Sequence, residues 1–158
     1  HEDLELGWRI RLAGYKNALS LKSRAYHDYE FKRSVKKFFW MERNRWLVHF
    51  SHLRWRTLFL LLPFLLLMEP PLLLFALKGG WLKEKLLVYR ALLAPRSWVY
   101  VVRKRRASRA LRTVNDQAIV SLFTPRIEHQ ETSSWVVTHI GNPLLAGLWR
   151  VLYRRIRW

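Results

Sequence analysis

A chain of 158 residues is long enough for one modest domain, and without a cysteine it can form neither a disulfide nor a thiolate metal site. Lys and Arg number 29 against 11 Asp and Glu, a formal charge of +18, which points to a polyanionic partner. Nine tryptophans and a long apolar run favour an anionic membrane surface over nucleic acid, which is not an expected partner.

The first fifteen residues read as a carboxylate pair opening a short helix. Leu4, Trp8 and Leu12 recur every four residues and share a face, Arg9 and Arg11 fall off it, and Gly14 supplies a C-terminal stop. Glu2 and Asp3 lie at the first turn, where free N–H groups and the helix dipole favour anions and keep a carboxylate ionised, as a general base must be. The plain alternative is that both are helix-start acids. The order acidic-Asp-x-x-Leu-x-Trp-Arg-x-Arg-x-x-Gly-Tyr, however, resembles the base-carrying stretch of inverting family 2 glycosyltransferases of GT-A fold. The resemblance implies that Asp3, the second acid of the pair after Glu2, deprotonates the acceptor hydroxyl. It also implies that this chain is the C-terminal piece of a longer enzyme whose nucleotide-binding half, with an Asp-x-Asp metal motif, lies upstream.

Residues 15–25 alternate Leu19 and Leu21 and are expected as a strand or extended crossover. Next comes Tyr26-His27-Asp28-Tyr29-Glu30-Phe31. His27 reads plainly as a loop histidine. The context also resembles metal-dependent GT-A transferases, galactofuranosyltransferases among them, in which a His after the base motif is a third ligand to the Mg²⁺ or Mn²⁺ that holds the donor diphosphate. A neutral imidazole suits Mn²⁺ beside carboxylates.

Residues 34–50 form the next expected helix, capped by Ser34, with Val35, Phe38, Phe39, Trp46 and Phe50 on its apolar face. Inside it Glu42-Arg43-Asn44-Arg45-Trp46 resembles the Gln-x-x-Arg-Trp motif of membrane polysaccharide synthases, with Glu42 in place of Gln. The resemblance implies a nucleotide-diphosphate contact at Arg45, whose planar fork suits phosphate oxygens, and an acceptor-lining role for Trp46. A basic solvent face on an amphipathic helix is the alternative.

Residues 58–77 are nearly all apolar, about the roughly 20 residues needed to span a bilayer, but Glu69-Pro70-Pro71 interrupts them. Arg54 and Arg56 precede the run and Lys78, Lys83 and Lys85 follow it, so the positive-inside bias favours both ends on the cytoplasmic side. A re-entrant or interface-embedded hairpin turning at Pro70-Pro71 fits best, with a kinked span second and a buried core hairpin third.

Gly79-Gly80 ends that element, and residues 81–93 are amphipathic and helical up to Pro95. Residues 96–112 interleave Arg103-Lys104-Arg105-Arg106 with aromatic and aliphatic side chains, as a helix on anionic lipid does; a solvated face is the alternative. Residues 115–122 suggest a short helix, 127–134 a polar loop and 135–140 a strand or helix start. Gly141-Asn142-Pro143 is expected to turn the chain, and a last amphipathic helix covers 144–158.

The fold expected is mostly α: the C-terminal end of a GT-A α/β domain (1–50), an apolar membrane-associated hairpin (51–94) and basic amphipathic helices (95–158). The resemblance implies an enzyme at the cytoplasmic face of the membrane. It would use a divalent metal and move sugar from a nucleotide-sugar donor to a lipid-linked or polysaccharide acceptor of the cell envelope. The rival from another class is a non-catalytic basic module binding anionic membrane or nucleic acid.

Overall fold

The computed structural model describes residues 2–24, 26, 35–127, 135 and 137–158. Among them every regular element is helical: α1 (Glu2–Leu12), α2 (Val35–His52), α3 (Trp55–Leu67), α4 (Glu69–Lys78), α5 (Leu82–Leu93), α6 (Pro95–Leu111), α7 (Asp116–Val120), a π-helical turn (Val137–Gly141) and α8 (Asn142–Tyr153). The protein is mostly α, as its patterning implies. Helix α2 is the hub, packed along α5 and α6, while α1 rests on α6 and α7, and α8 on α3.

The core is built from the periodic positions. Leu58, Leu61 and Leu65 bury one face of α3, and Trp46 and Val48 of α2, Val88 of α5, Ile119, Val120 and Ile156 meet them. On α1 the expected stripe holds for Trp8 and Leu12 but not for Leu4, which is half-exposed. Trp8 fills the space between His49, His52 and Phe123, at ring separations of 5.4, 5.7 and 5.6 Å.

Residues 15–24 form no strand. Leu19 and Leu21 alternate but stay exposed, because no second strand exists among the described residues to pair with them. One side-chain bond, Asn17 Nδ2 to Gly7 O at 3.2 Å, ties this segment to α1. The proposed cap at Ser34 lies outside the described residues.

The apolar run is a bent rod. Helices α3 and α4 meet at Met68 with axes turned by 41°. The chain does not reverse at Pro70-Pro71, because both prolines fall in the first turn of α4, where a missing N–H costs nothing. The same physics corrects the expected turn at Gly141-Asn142-Pro143: Pro143 sits in the first turn of α8, and helix runs straight through from the π-helical turn. Buried Asn142 is used instead to bond Ile127 N at 2.8 Å and Ile127 O at 3.2 Å.

Glycine ends two helices as expected. Gly14 has φ 84°, and its helix closes with Tyr15 N to Ile10 O at 3.1 Å and Gly14 N to Arg11 O at 3.0 Å. Gly80, with φ 72°, ends α4 the same way. The two positions differ in surroundings. A Cβ on Gly14 would meet Thr113 Oγ1 at 2.8 Å, whereas one on Gly80 meets nothing within 4 Å. Gly80→Ala should therefore cost about 1–2 kcal/mol from the left-handed backbone alone. Gly14→Ala should cost more, since Thr113 must move and its backbone N–H bond to Leu12 O at 2.8 Å is at risk. Urea unfolding of both variants checks the ranking.

Candidate functional site

Asp3 sits in the first turn of α1, exposed, and has no hydrogen bond or ion pair with another described residue. Glu2 opens the same turn, but its side chain lies outside the described residues, as does His27. One turn on, Glu5 faces the body: Lys104 Nζ donates to its Oε1 at 2.6 Å, and His52 Nε2 is 3.7 Å away. Burial raises the Glu5 pKa, but the Lys104 bond and charge outweigh that and leave it below the usual carboxylate value. With Trp8 wedged and Leu12 O bonded, α1 is fixed in orientation while Asp3 stays open to solvent. A carboxylate so held can accept a proton from a hydroxyl brought to it.

Arg45 lies elsewhere, inside an ionic cluster that joins α2, α4 and α5. Its Nη2 donates to Glu42 Oε2 at 3.0 Å and to Glu69 Oε1 at 2.7 Å. Lys85 Nζ meets Glu42 at 2.5 Å and Glu69 at 2.8 Å, and Tyr89 Oη donates to Glu69 at 2.5 Å. Burial pulls the Arg45 guanidinium down, and the Glu42 and Glu69 carboxylates more than restore it. The two carboxylates thus share Nη2 of this guanidinium, and its charge is already met inside the protein. Trp46 is a core residue, 7% exposed, beneath that guanidinium at 5.1 Å. Thus no interaction joins Asp3 to Arg45.

Sequence reasoning missed Glu69 and Lys85 as partners. Each carried a signal: Glu69 is the acid inside the apolar run, and Lys85 falls on the apolar stripe Trp81-Lys85-Val88-Leu92 of α5. A lysine with 0% exposure must be paired, because an isolated buried ammonium is prohibitively costly.

Beside α1 lies a cavity of about 410 Å³, lined by Glu5, Arg43, Asn44, Val48, Arg96 and Tyr100 among others. Arg43 stacks on Trp40 at 4.4 Å and bonds Asn44 Oδ1 at 2.9 Å. Arg43 and Arg96, unlike Arg45, thus line a cavity that α1 also lines, through Glu5. Among the described residues no three His, Asp or Glu side chains are grouped to hold a metal ion.

Breaking the cluster should be costly. Lys85→Met leaves two carboxylates with one cation and should lose about 3–5 kcal/mol, while Glu42→Gln with Lys85→Met should recover part of it, since removing both charges avoids an unpaired ion. Denaturant midpoints of the two variants measure the difference.

His52 gives a pH dependence. Burial pushes its pKa down to about 4 from 6.5, against the opposing pull of Glu5. The unfolded chain binds this proton first as pH falls, so stability is full above pH 6.5 and is lost toward pH 4. Between pH 7 and pH 5 the wild type should lose about 2 kcal/mol more than His52→Gln, read from urea melts at the two pH values.

Comparison of the chain with protein-family models, with curated proteins and with solved structures gives no match.

Proposed function

We propose that this chain is the base-carrying, membrane-docking part of an inverting glycosyltransferase. The enzyme would move a sugar from a nucleotide donor to a lipid-linked or polysaccharide acceptor of the cell envelope. The observation that carries the reading is Asp3: an exposed carboxylate in the first turn of a helix anchored by Trp8 and Leu12, with no partner among the described residues. It stands in the residue order that resembles the base motif of family 2 transferases. In this reading residues 1–50 close a GT-A α/β domain whose nucleotide-binding half lies upstream.

The chemistry balances with a single enzymic carboxylate. The acceptor oxygen attacks the anomeric carbon from the face opposite the leaving group, and Asp3 takes the hydroxyl proton. The bond to the diphosphate oxygen breaks, its electron pair leaves with the nucleotide, and configuration inverts. Arg43 and Arg96 line the cavity that Glu5 of this helix also lines, and in this reading they receive phosphate charge.

Membrane docking is supported by the outer face of the bent rod. Phe59, Leu62, Leu66 and Leu67 on α3, and Leu74 and Leu77 on α4, are exposed together, next to Arg56 and Lys78 at the rod's ends. No single described helix is long and apolar enough to cross a membrane, though the bent pair qualifies by length and composition. Such a face, lying in the interface with basic flanks, suits the cytoplasmic leaflet.

In the enzyme carrying this segment, Asp3→Asn should lower turnover about 10²–10⁴-fold and leave donor binding within about twofold, since the amide keeps the shape and loses the proton acceptor. Single-turnover transfer assays with donor titration test it. Turnover above a few per cent of wild type would overturn the assignment of Asp3 as the base.

A further inference from the structure

A second cavity, of about 570 Å³, opens at the corner where α2 passes into α3. Five arginines line it, Arg54, Arg56, Arg105, Arg109 and Arg112, and no acidic residue does. Two of the five are already used. Arg105 Nη1 donates to Phe50 O at 2.5 Å and Leu53 O at 2.7 Å, with its guanidinium 4.2 Å from the Trp55 ring. Arg112 bonds Asp116 and His52 O.

The other three have no carboxylate partner among the described residues. Arg54 and Arg109 make no side-chain hydrogen bond, and Arg56 lies over the Trp158 ring at 4.4 Å. Burial and the neighbouring Arg109 and Arg112 charges hold Arg105 below its ordinary value, the mark of cations gathered without enough counter-charge. A second feature of the wall is independent of charge. Ser51 lines the cavity and is 3% exposed, yet its hydroxyl has no hydrogen-bond partner. A buried unpaired hydroxyl is costly unless something outside the chain meets it. Helix α3 also starts at this wall with no side-chain cap.

We propose that this cavity is a phosphate-binding site, in which Arg54, Arg56 and Arg109 hold the phosphate oxygens and Ser51 donates its hydroxyl. Guanidinium forks match phosphate geometry, and several of them converging without an acid select a multiply charged anion. The site stands at the mouth of the apolar rod: Trp55 and Trp98 are exposed beside it, and the outer face of α3 begins four residues on at Phe59. A lipid headgroup phosphate would therefore sit in the cavity while α3 lies among acyl chains. Free phosphate offers the same chemistry. The inference does not depend on Asp3 or on sugar transfer.

The test uses the full chain, wild type and two double variants that remove equal charge: Arg54→Gln with Arg109→Gln at the cavity, and Arg103→Gln with Arg106→Gln on the exposed side of α6. Neither cavity side chain supports the fold by a hydrogen bond, and matching thermal melts check that. Binding is measured to inorganic phosphate by tryptophan fluorescence, and by flotation to phosphatidylcholine vesicles with and without phosphatidic acid. The cavity variant should weaken binding at least tenfold and the control less than twofold. Loss confined to the vesicles assigns a headgroup, and loss shared with inorganic phosphate assigns the phosphate group alone; both support the site. Equal losses in the two variants, or no saturable binding of either probe, overturn it.

Discussion

The corner of the molecule is held by one buried carboxylate. Asp116 has no exposed surface, so its charge must be met inside the protein. Arg112 meets one oxygen; the other accepts Arg54 N at 2.8 Å and Thr57 Oγ1 at 2.5 Å. The Thr57 hydroxyl in turn accepts from Trp158 Nε1 at 2.7 Å, and Asp116 N donates to Trp158 O at 2.7 Å. One side chain thereby fixes the α2–α3 break, the α6–α7 break and the last residue. It also sets the walls of the arginine cavity, because it orders Arg112 and the first residues of α3.

The second buried ionic centre does different work. Glu42, Arg45, Glu69 and Lys85 are two acids and two bases from three helices, with Tyr89 completing Glu69. Formally neutral, it asks nothing of solvent, and breaking it by removing one partner leaves an uncompensated charge. It sits at Glu69, where the apolar rod bends. Glu69 therefore fastens the midpoint of that rod to the basic helices α2 and α5. The cations of this chain are thus not a uniform coat: Arg45, Lys85, Lys104 and Arg112 are absorbed into ion pairs and Arg105 into capping carbonyls, while Arg54, Arg56 and Arg109 face a cavity.

Helix positions were legible because their punctuation is local. Gly14 and Gly80 take the left-handed conformation that only glycine adopts freely, and Pro95 opens α6 at a position suited to it. The same residues misled where their effect depends on neighbours. Pro70-Pro71 and Pro143 read as turns, yet each begins a helix, since proline in a first turn is neutral and the preceding residues chose the direction. The alternation at Leu19 and Leu21 had period two but no partner, and pairing is not encoded within a single strand. Asp3 was legible as an exposed acid at a helix start. The engagement of Arg45 was not, because Glu69 and Lys85 are 24 and 40 positions away and only the fold brings them together.

The fastened midpoint bears on how the rod can meet a bilayer. To cross as a span, α3 and α4 would carry Glu69 toward mid-depth, and with it either the whole cluster or an unpaired carboxylate. Moving Arg45, Lys85, Glu42 and Glu69 together into hydrocarbon adds a large desolvation cost, and separating them costs about 3–5 kcal/mol for the broken pairs before any membrane term. Lying flat avoids both. In the docking proposed above, the buried face of α3, with Leu58, Leu61 and Leu65, would stay on the core, the cluster on the body, and the exposed Phe59, Leu62, Leu66, Leu74 and Leu77 would meet the lipid. At one end of that face Lys78 marks the return to water, and at the other the arginine cavity would meet headgroups.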